Sequence, residues 1–266
     1  MDEPFEPRVA LASLSGASDA AWARRVEEHV GAAILGGIAI DEGSRSAARR
    51  MVERDREEFL PADPLAFVDA QLGALDDAGL RAGFNVRSAT LAPLREAAAV
   101  CADRGAIVEI NAHCRQAEMC AAGCGETLLR DAHRLCEQVE TASDTGATVS
   151  VKLRAEVPGV DLADVARWVG AAGADVLHVD AMDAEKVVGR VAGATDAFVI
   201  ANNGVRGGET AREYLALGAN AVSVGRASDR SELLKRVRRA TEAWFAGGSD
   251  EPGTPARDDR TEGIEP

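Results

Sequence analysis

Val108-Glu109-Ile110-Asn111-Ala112-His113-Cys114-Arg115-Gln116, continued by Gly123-Cys124-Gly125-Glu126-Thr127-Leu128-Leu129, is the stretch on which the fold turns. A short apolar run ends in a polar loop carrying a cysteine; two glycines follow, and then a helical pattern begins. A buried strand therefore delivers the thiol to one edge of a sheet. The glycines let the backbone approach closely before the helix starts. Alone, this is one strand, one loop and one helix. The architecture depends on how often the unit recurs.

It recurs along the whole chain. Strand patterns are expected at 8–13, 32–35, 82–86, 106–111, 148–153, 176–180, 197–201 and 219–224. The second is ended by Gly36-Gly37. Helical patterns fall between them at 19–30, 41–58, 65–78, 92–103, 126–145, 162–171, 184–191, 209–217 and 231–245. Eight strand-then-helix units in about 245 residues have the size and period of an α/β (β/α)8 TIM barrel. A doubly wound sheet is the competitor, but no G-x-G-x-x-G follows the first strand. Residues 1–246 are expected to form this single domain. From Gly247 the chain reads GGSDEPGTPARDDRTEGIEP, an acidic tail with little to bury that is expected to be disordered.

The chain has 266 residues, 46% of them apolar, enough for one large core. No run of about 18 apolar residues occurs, and the N-terminus is acidic without an apolar stretch, so a soluble cytoplasmic protein with no membrane partner is expected. Five cysteines, an odd number in a chain of this length, read as reduced thiols. Acidic residues number 44 against 30 basic, giving a net charge of −14, and only Lys152, Lys186 and Lys235 are lysines. Excess carboxylate with little lysine is the pattern of a protein working in concentrated salt. In dilute salt such a charge opposes nucleic acid; at molar salt the repulsion is screened within about 3 Å.

In a barrel of this kind chemistry sits at the C-terminal ends of the strands. The residues expected there are Ser13 and Ser15, Asn85 and Arg87, Asn111 and Cys114, Lys152 and Arg154, His178 and Asp180, Asn202 and Asn203, and Gly225-Arg226. The loops Asn202-Asn203-Gly204-Val205-Arg206-Gly207-Gly208 and Val224-Gly225-Arg226-Ala227 suit a phosphate cradle, in which backbone N–H groups face an anion and arginine adds charge. Ordinary glycine turns are the plain alternative. Lys152 interrupts an apolar strand and could neutralise a developing anion, or be held in a buried ion pair. His178 reads as a core histidine bonded inside the barrel. Cys114, Cys120 and Cys124 form C-x5-C-x3-C beside His113, which matches no standard metal spacing, so no metal is expected.

Ile110 to Cys114 with Gly123 to Leu129 resembles the catalytic loop of the flavin-dependent tRNA-dihydrouridine synthases, where I-N-x-G-C-P is followed at this distance by G-x-G-x-x-L-L. Residues 12–19 (ASLSGASD) are similar to that family's A-P-M-A-G-V-T-D opening, 149–154 to its V-x-V-K-x-R strand, 201–205 to its G-N-G-D loop and 224–227 to its last phosphate loop. The likeness covers about residues 8–240 and looks closest to a short archaeal-type branch with H-C-R-Q in the cysteine loop. It implies FMN, with Ser13, Leu14 and Ser15 along the isoalloxazine and Asn85 and Asn111 among the polar groups beside it. It places Asn203, Gly204, Gly225 and Arg226 at the phosphate and Lys152 near the flavin N1/O2 edge. Cys114 becomes the general acid for reduction of a uracil C5=C6 bond, and NAD(P)H the reductant.

The departures from the family are specific. Arg115 replaces its proline, and Asp180-Ala181-Met182-Asp183 stands for H-G-R-T, so a carboxylate, Asp180, takes the place of a histidine on the flavin-phosphate and substrate side. Asn202-Asn203-Gly204-Val205 replaces G-N-G-D. Phe245 is followed only by the acidic tail, with no counterpart of the helical domain that grips tRNA. The expected substrate is therefore tRNA or a free pyrimidine, the latter as in dihydroorotate dehydrogenases. A flavin-free barrel binding a phosphate ligand is the reading from a different class.

Overall fold

The computed structural model describes residues 4–247, so the expected tail beyond Gly247 lies outside the described residues. Eight parallel strands close into a barrel in sequence order: β1 (Val9–Leu11), β2 (Ala32–Ala39), β3 (Arg81–Arg87), β4 (Ile107–Asn111), β5 (Thr148–Arg154), β6 (Val176–Asp180), β7 (Phe198–Asn202) and β8 (Ala221–Val224). β8 returns to β1 with Val9 opposite Val222 and Leu11 opposite Val224. Around them lie α1 (Ala20–Arg24), α2 (Glu42–Val52), α3 (Pro64–Gly73), α4 (Leu91–Asp103), α5 (Ala117–Ala121), α6 (Thr127–Arg130), α7 (Ala132–Ser143), α8 (Leu162–Ala171), α9 (Val187–Ala192), α10 (Gly208–Ala216) and α11 (Ser231–Phe245). The chain is a single-domain (β/α)8 TIM barrel.

Strand alternation sets what faces the barrel axis. Val108 and Ile110, Val149 and Val151, Leu177 and Val179, and Val222 and Val224 point outward into one apolar layer shared with the helices. Each such side chain, fully buried, contributes about 1.5–3 kcal/mol. Their neighbours Glu109 and Asn111, Ser150 and Lys152, His178 and Asp180, and Ser223 point inward. The floor of the barrel is apolar, with Phe5, Ala10, Ala32, Val176, Ile200 and Ala221 packed together and Phe198 against them. Polarity thus rises from floor to mouth.

Several expected elements differ: the helix expected over 19–30 is α1 alone, followed by a 3-10 turn at Glu27–His29, and the one expected over 41–58 ends at Val52. β2 does not stop at Gly36-Gly37 but runs to Ala39, because the pair makes a bulge: the register against β3 shifts between Gly36 and Ile38. A Cβ on Gly37 would collide with the Asn85 side chain, so glycine is needed for close approach rather than for a stop. The helix expected over 126–145 is two helices, α6 and α7. They are separated at Asp131, which leaves the helical region (φ −116, ψ 70) and caps α7 by accepting from the Arg134 backbone N–H. Among the described residues no helix is long and apolar enough to cross a membrane.

Candidate active site

The strand ends surround a cavity of about 690 Å³, within the range of small-molecule and cofactor sites. Ser13, Leu14, Ser15, Cys114, Lys152, Asp180, Asn203, Gly204, Gly225 and Arg226 all line it. Asn85 and Asn111 do not. They lie beneath the wall as braces.

The braces form one buried chain. Glu109, with no solvent exposure, accepts from Asn85 Nδ2 through Oε1 (2.7 Å), and its Oε2 lies 3.2 Å from Ser150 Oγ and 2.6 Å from His178 Nδ1. His178 Nε2 lies 2.8 Å from Ser223 Oγ, which accepts from Asn202 Nδ2 at 2.8 Å. In the other direction Asn111 Nδ2 donates to Asn85 Oδ1 (2.8 Å), and Asn111 Oδ1 accepts the Cys114 backbone N–H at 2.9 Å. One carboxylate thus links the cysteine loop to the β7–β8 side of the cavity. Burial alone would raise its pKa, but His178, Lys152 and Asn85 oppose that and hold it at about 2. Burial lowers the pKa of His178, with Glu109 opposing the shift, and the ring's Nδ1 faces Glu109 Oε2.

Lys152 is almost wholly buried, and its Nζ forms no hydrogen bond among the described residues. Desolvation lowers its pKa, partly offset by Glu109 and Asp180. Asp180 is not aimed at an anion. Its Oδ1 accepts from Asn203 Nδ2 at 3.0 Å, and its Oδ2 lies 3.3 Å from His113 Nε2. Those contacts, His113 foremost, overcome burial and depress its pKa, while burial pushes His113 down to about 4. Asn203 adopts φ 77, a region that asparagine tolerates, and its carbonyl accepts from Tyr214 Oη at 2.7 Å. Asp180 and Tyr214 together therefore clamp the β7 loop in this shape.

Beside the first strand, Arg87 Nη1 donates to Glu58 Oε2 at 2.5 Å and Arg87 Nη2 to Ser15 Oγ at 2.7 Å. Spacing alone did not single out Glu58, Glu109, His113, Ser150 or Ser223. For Glu109, Ser150 and Ser223 a signal existed. Strands buried on both faces read as continuous apolar runs, so a polar residue at alternate positions marks the inward face.

The cysteine loop is shaped by Gly125, at φ +65, where a Cβ would collide with the Cys114 carbonyl oxygen; that oxygen accepts the Glu126 N–H at 2.9 Å. Gly125→Ala is expected to cost about 1–3 kcal/mol, read as a shift in the urea midpoint, and to displace Cys114. Cys114 is 8% exposed and on the cavity wall, whereas Cys124 is fully buried and its thiol is pushed up to about 12 by desolvation. Among the described residues no group of three His, Cys, Asp or Glu is placed to hold a metal ion.

The fold and site together define a parallel TIM barrel with a polar, cation-rich cavity at the C-terminal strand ends. No protein-family model matches the chain. A probable tRNA-dihydrouridine synthase of Rhodobacter capsulatus is 29% identical over 267 aligned positions, covering 95% of this chain and 76% of that protein. An uncharacterized protein of Methanocaldococcus jannaschii is 25% identical over 234 residues, 84% of this chain and 89% of the relative. Among solved structures, morphinone reductase in complex with tetrahydroNAD superposes with a TM-score of 0.63 at 14% identity, over 89% of this chain and 88% of that one. FabK from Thermotoga maritima superposes with a TM-score of 0.56 at 17% identity, over 83% of this chain and 58% of that one. At these identities the structural likeness establishes the fold.

Proposed function

We propose that the chain is an FMN-dependent oxidoreductase that reduces the C5=C6 bond of a uracil-type ring. The observation that carries this is the placement of Cys114 on the same cavity wall as Lys152 and the two glycine loops. The sequence similarity to a probable dihydrouridine synthase and the barrel likeness to a reductase support the same reading.

The cavity suits a flavin in specific ways. A Cβ on Gly225 would meet only Leu14, at 3.6 Å, so the β8 loop leaves open space where a phosphate can approach the backbone. Arg87 Nε and His113 Nδ1 are buried at the wall without a partner among the described residues. Gly204, Gly225 and Arg226 would hold the phosphate, and Ser13, Leu14 and Ser15 would run along the ring. FMN held there would supply the hydride chemistry for C6, with NAD(P)H as the external reductant.

The chain supplies the remaining steps. Lys152, kept close to Glu109 and Asp180, places positive charge where negative charge develops. Cys114 donates its thiol proton to C5, so that one hydride and one proton complete the reduction. Asn111 sets the thiol's position through the Cys114 backbone N–H. The ring is presented by tRNA or by a small pyrimidine compound.

The test is the absorbance spectrum of the purified protein, alone and after FMN is added. A flavin spectrum that remains after gel filtration is expected; a protein that stays colourless would refute the assignment.

A further inference from the structure

Although the chain carries a net charge of −14, its cavity is cationic. Arg56, Arg87, Arg115, Lys152, Arg154 and Arg226 line it against a single carboxylate, Asp180. Arg87 is neutralised by Glu58, and Arg154 lies 3.6 Å from Glu126. Arg56, Arg115 and Arg226 are exposed at the mouth, and their guanidiniums form no hydrogen bond or ion pair among the described residues. With 44 carboxylates in the chain, counter-charges are plentiful, and at Arg24, Arg49, Arg54 and Arg104 they are used. A cleft lined by one sign of charge focuses its field and draws in the opposite charge.

The three free guanidiniums fall into two groups. Arg226 sits beside Gly225 in the β8 loop, the position given above to the flavin phosphate. Arg56 and Arg115 belong to neighbouring segments. Arg54, two residues before Arg56, donates to Gln116 Oε1 (3.4 Å) and Glu118 Oε2 (2.8 Å), just past Arg115. Arg115 follows Cys114 directly, and Arg56 lies on the segment that Arg54 ties to the residues just past Arg115; neither is given a role toward the flavin. Two guanidinium forks match the charge and oxygen count of a dianionic phosphate better than a single carboxylate.

Resting on the function proposed above, we propose that Arg56 and Arg115 form a phosphate subsite for the substrate, so that the ring presented to Cys114 belongs to a pyrimidine nucleotide rather than a free base or an orotate-like acid. The ring enters the cavity and the phosphate stays at the mouth, held by the Arg115 and Arg56 forks.

The experiment is calorimetric titration of the flavin-saturated protein with uracil, orotate, uridine, uridine monophosphate and a short uridine-containing oligonucleotide. The monophosphate is expected to bind at least about tenfold tighter than uridine. In the Arg56→Met/Arg115→Met variant that advantage should disappear while uridine binding is kept. Both residues are exposed, and an unchanged melting temperature verifies the variant's fold. Equal affinity for uridine and its monophosphate, or tightest binding of orotate, overturns the proposal. Binding of the oligonucleotide with none of the monophosphate overturns the mononucleotide assignment and makes the subsite a reader of a polymer backbone. The same titration of flavin-free protein separates the two readings. A monophosphate preference that depends on the arginines in a protein unable to hold FMN would sink the flavin function and leave the subsite standing.

Discussion

Glu109→Ala is expected to lower the unfolding free energy by about 3–5 kcal/mol, the range for removing one partner of a buried charged pair. A domain of this size has about 5–15 kcal/mol in total, so the variant sits near the limit of folding. The reason is the number of groups the carboxylate serves. Without it, the Asn85 amide, Ser150 hydroxyl and His178 Nδ1–H lose their acceptor inside the barrel, and Lys152 loses the carboxylate that most favours its charged form. Each buried donor left unsatisfied costs about 1–3 kcal/mol. Glu109→Gln keeps the shape and an acceptor oxygen and should lose less than the alanine variant. The check is the urea midpoint of all three proteins.

The same residue makes a pH prediction whose sign is set by its shift. The folded pKa is about 2, depressed from 4.5. Its contribution is therefore present above about pH 4.5 and is lost as pH falls toward 2. Asp180 is depressed as well and loses its contribution over the acid range. Stability should fall through that window in the natural chain. In Glu109→Gln the fall should be shallower but not absent. An acid limb of equal slope in both proteins would mean that Glu109 is not held ionised by its neighbours.

How much of this was legible in the chain depends on the range of the forces involved. The eight units were, because each rests on a local period; α8, β6 and α11 have the bounds expected from their apolar spacing. The break between α6 and α7 was not, since helix propensity runs through it and a single Asp131 cap decides it. Of the cavity wall, Cys114, Lys152 and the β7 and β8 loops follow from their place at strand ends. Asn85 and Asn111 were expected against the ligand and instead lie a layer below, bonded to each other. Strand order gives a side chain's face but not its partners. The His113–Asp180 and Arg87–Glu58 pairs join segments 67 and 29 residues apart, which no local pattern encodes.

Cys114→Ala is expected to slow reduction of the pyrimidine ring by about 10²–10⁴-fold, the usual loss for a positioned general acid. Flavin binding should be unchanged, because the phosphate loops lie on β7 and β8. Anaerobic stopped-flow separates the two: pre-reduced protein is mixed with substrate and flavin reoxidation is followed. Cys120→Ala and Cys124→Ala are the controls. Desolvation raises both thiols, Cys124 to about 12, and Cys124 is fully buried, so it has no access to a ring in the cavity. Cys120 points its Sγ toward the Cys114 carbonyl at 3.7 Å and acts on the loop's shape rather than as a proton donor. Reoxidation in these two variants should stay within a few-fold of the natural chain. If Cys114→Ala reoxidises as fast as its parent, the proton reaches C5 from another group. The neighbouring His113 is a poor source, since with a pKa of about 4 it is neutral at working pH and faces Asp180. In the proposed reaction, proton donation on this wall falls to Cys114, and the loop that Gly125 shapes brings the thiol to the cavity.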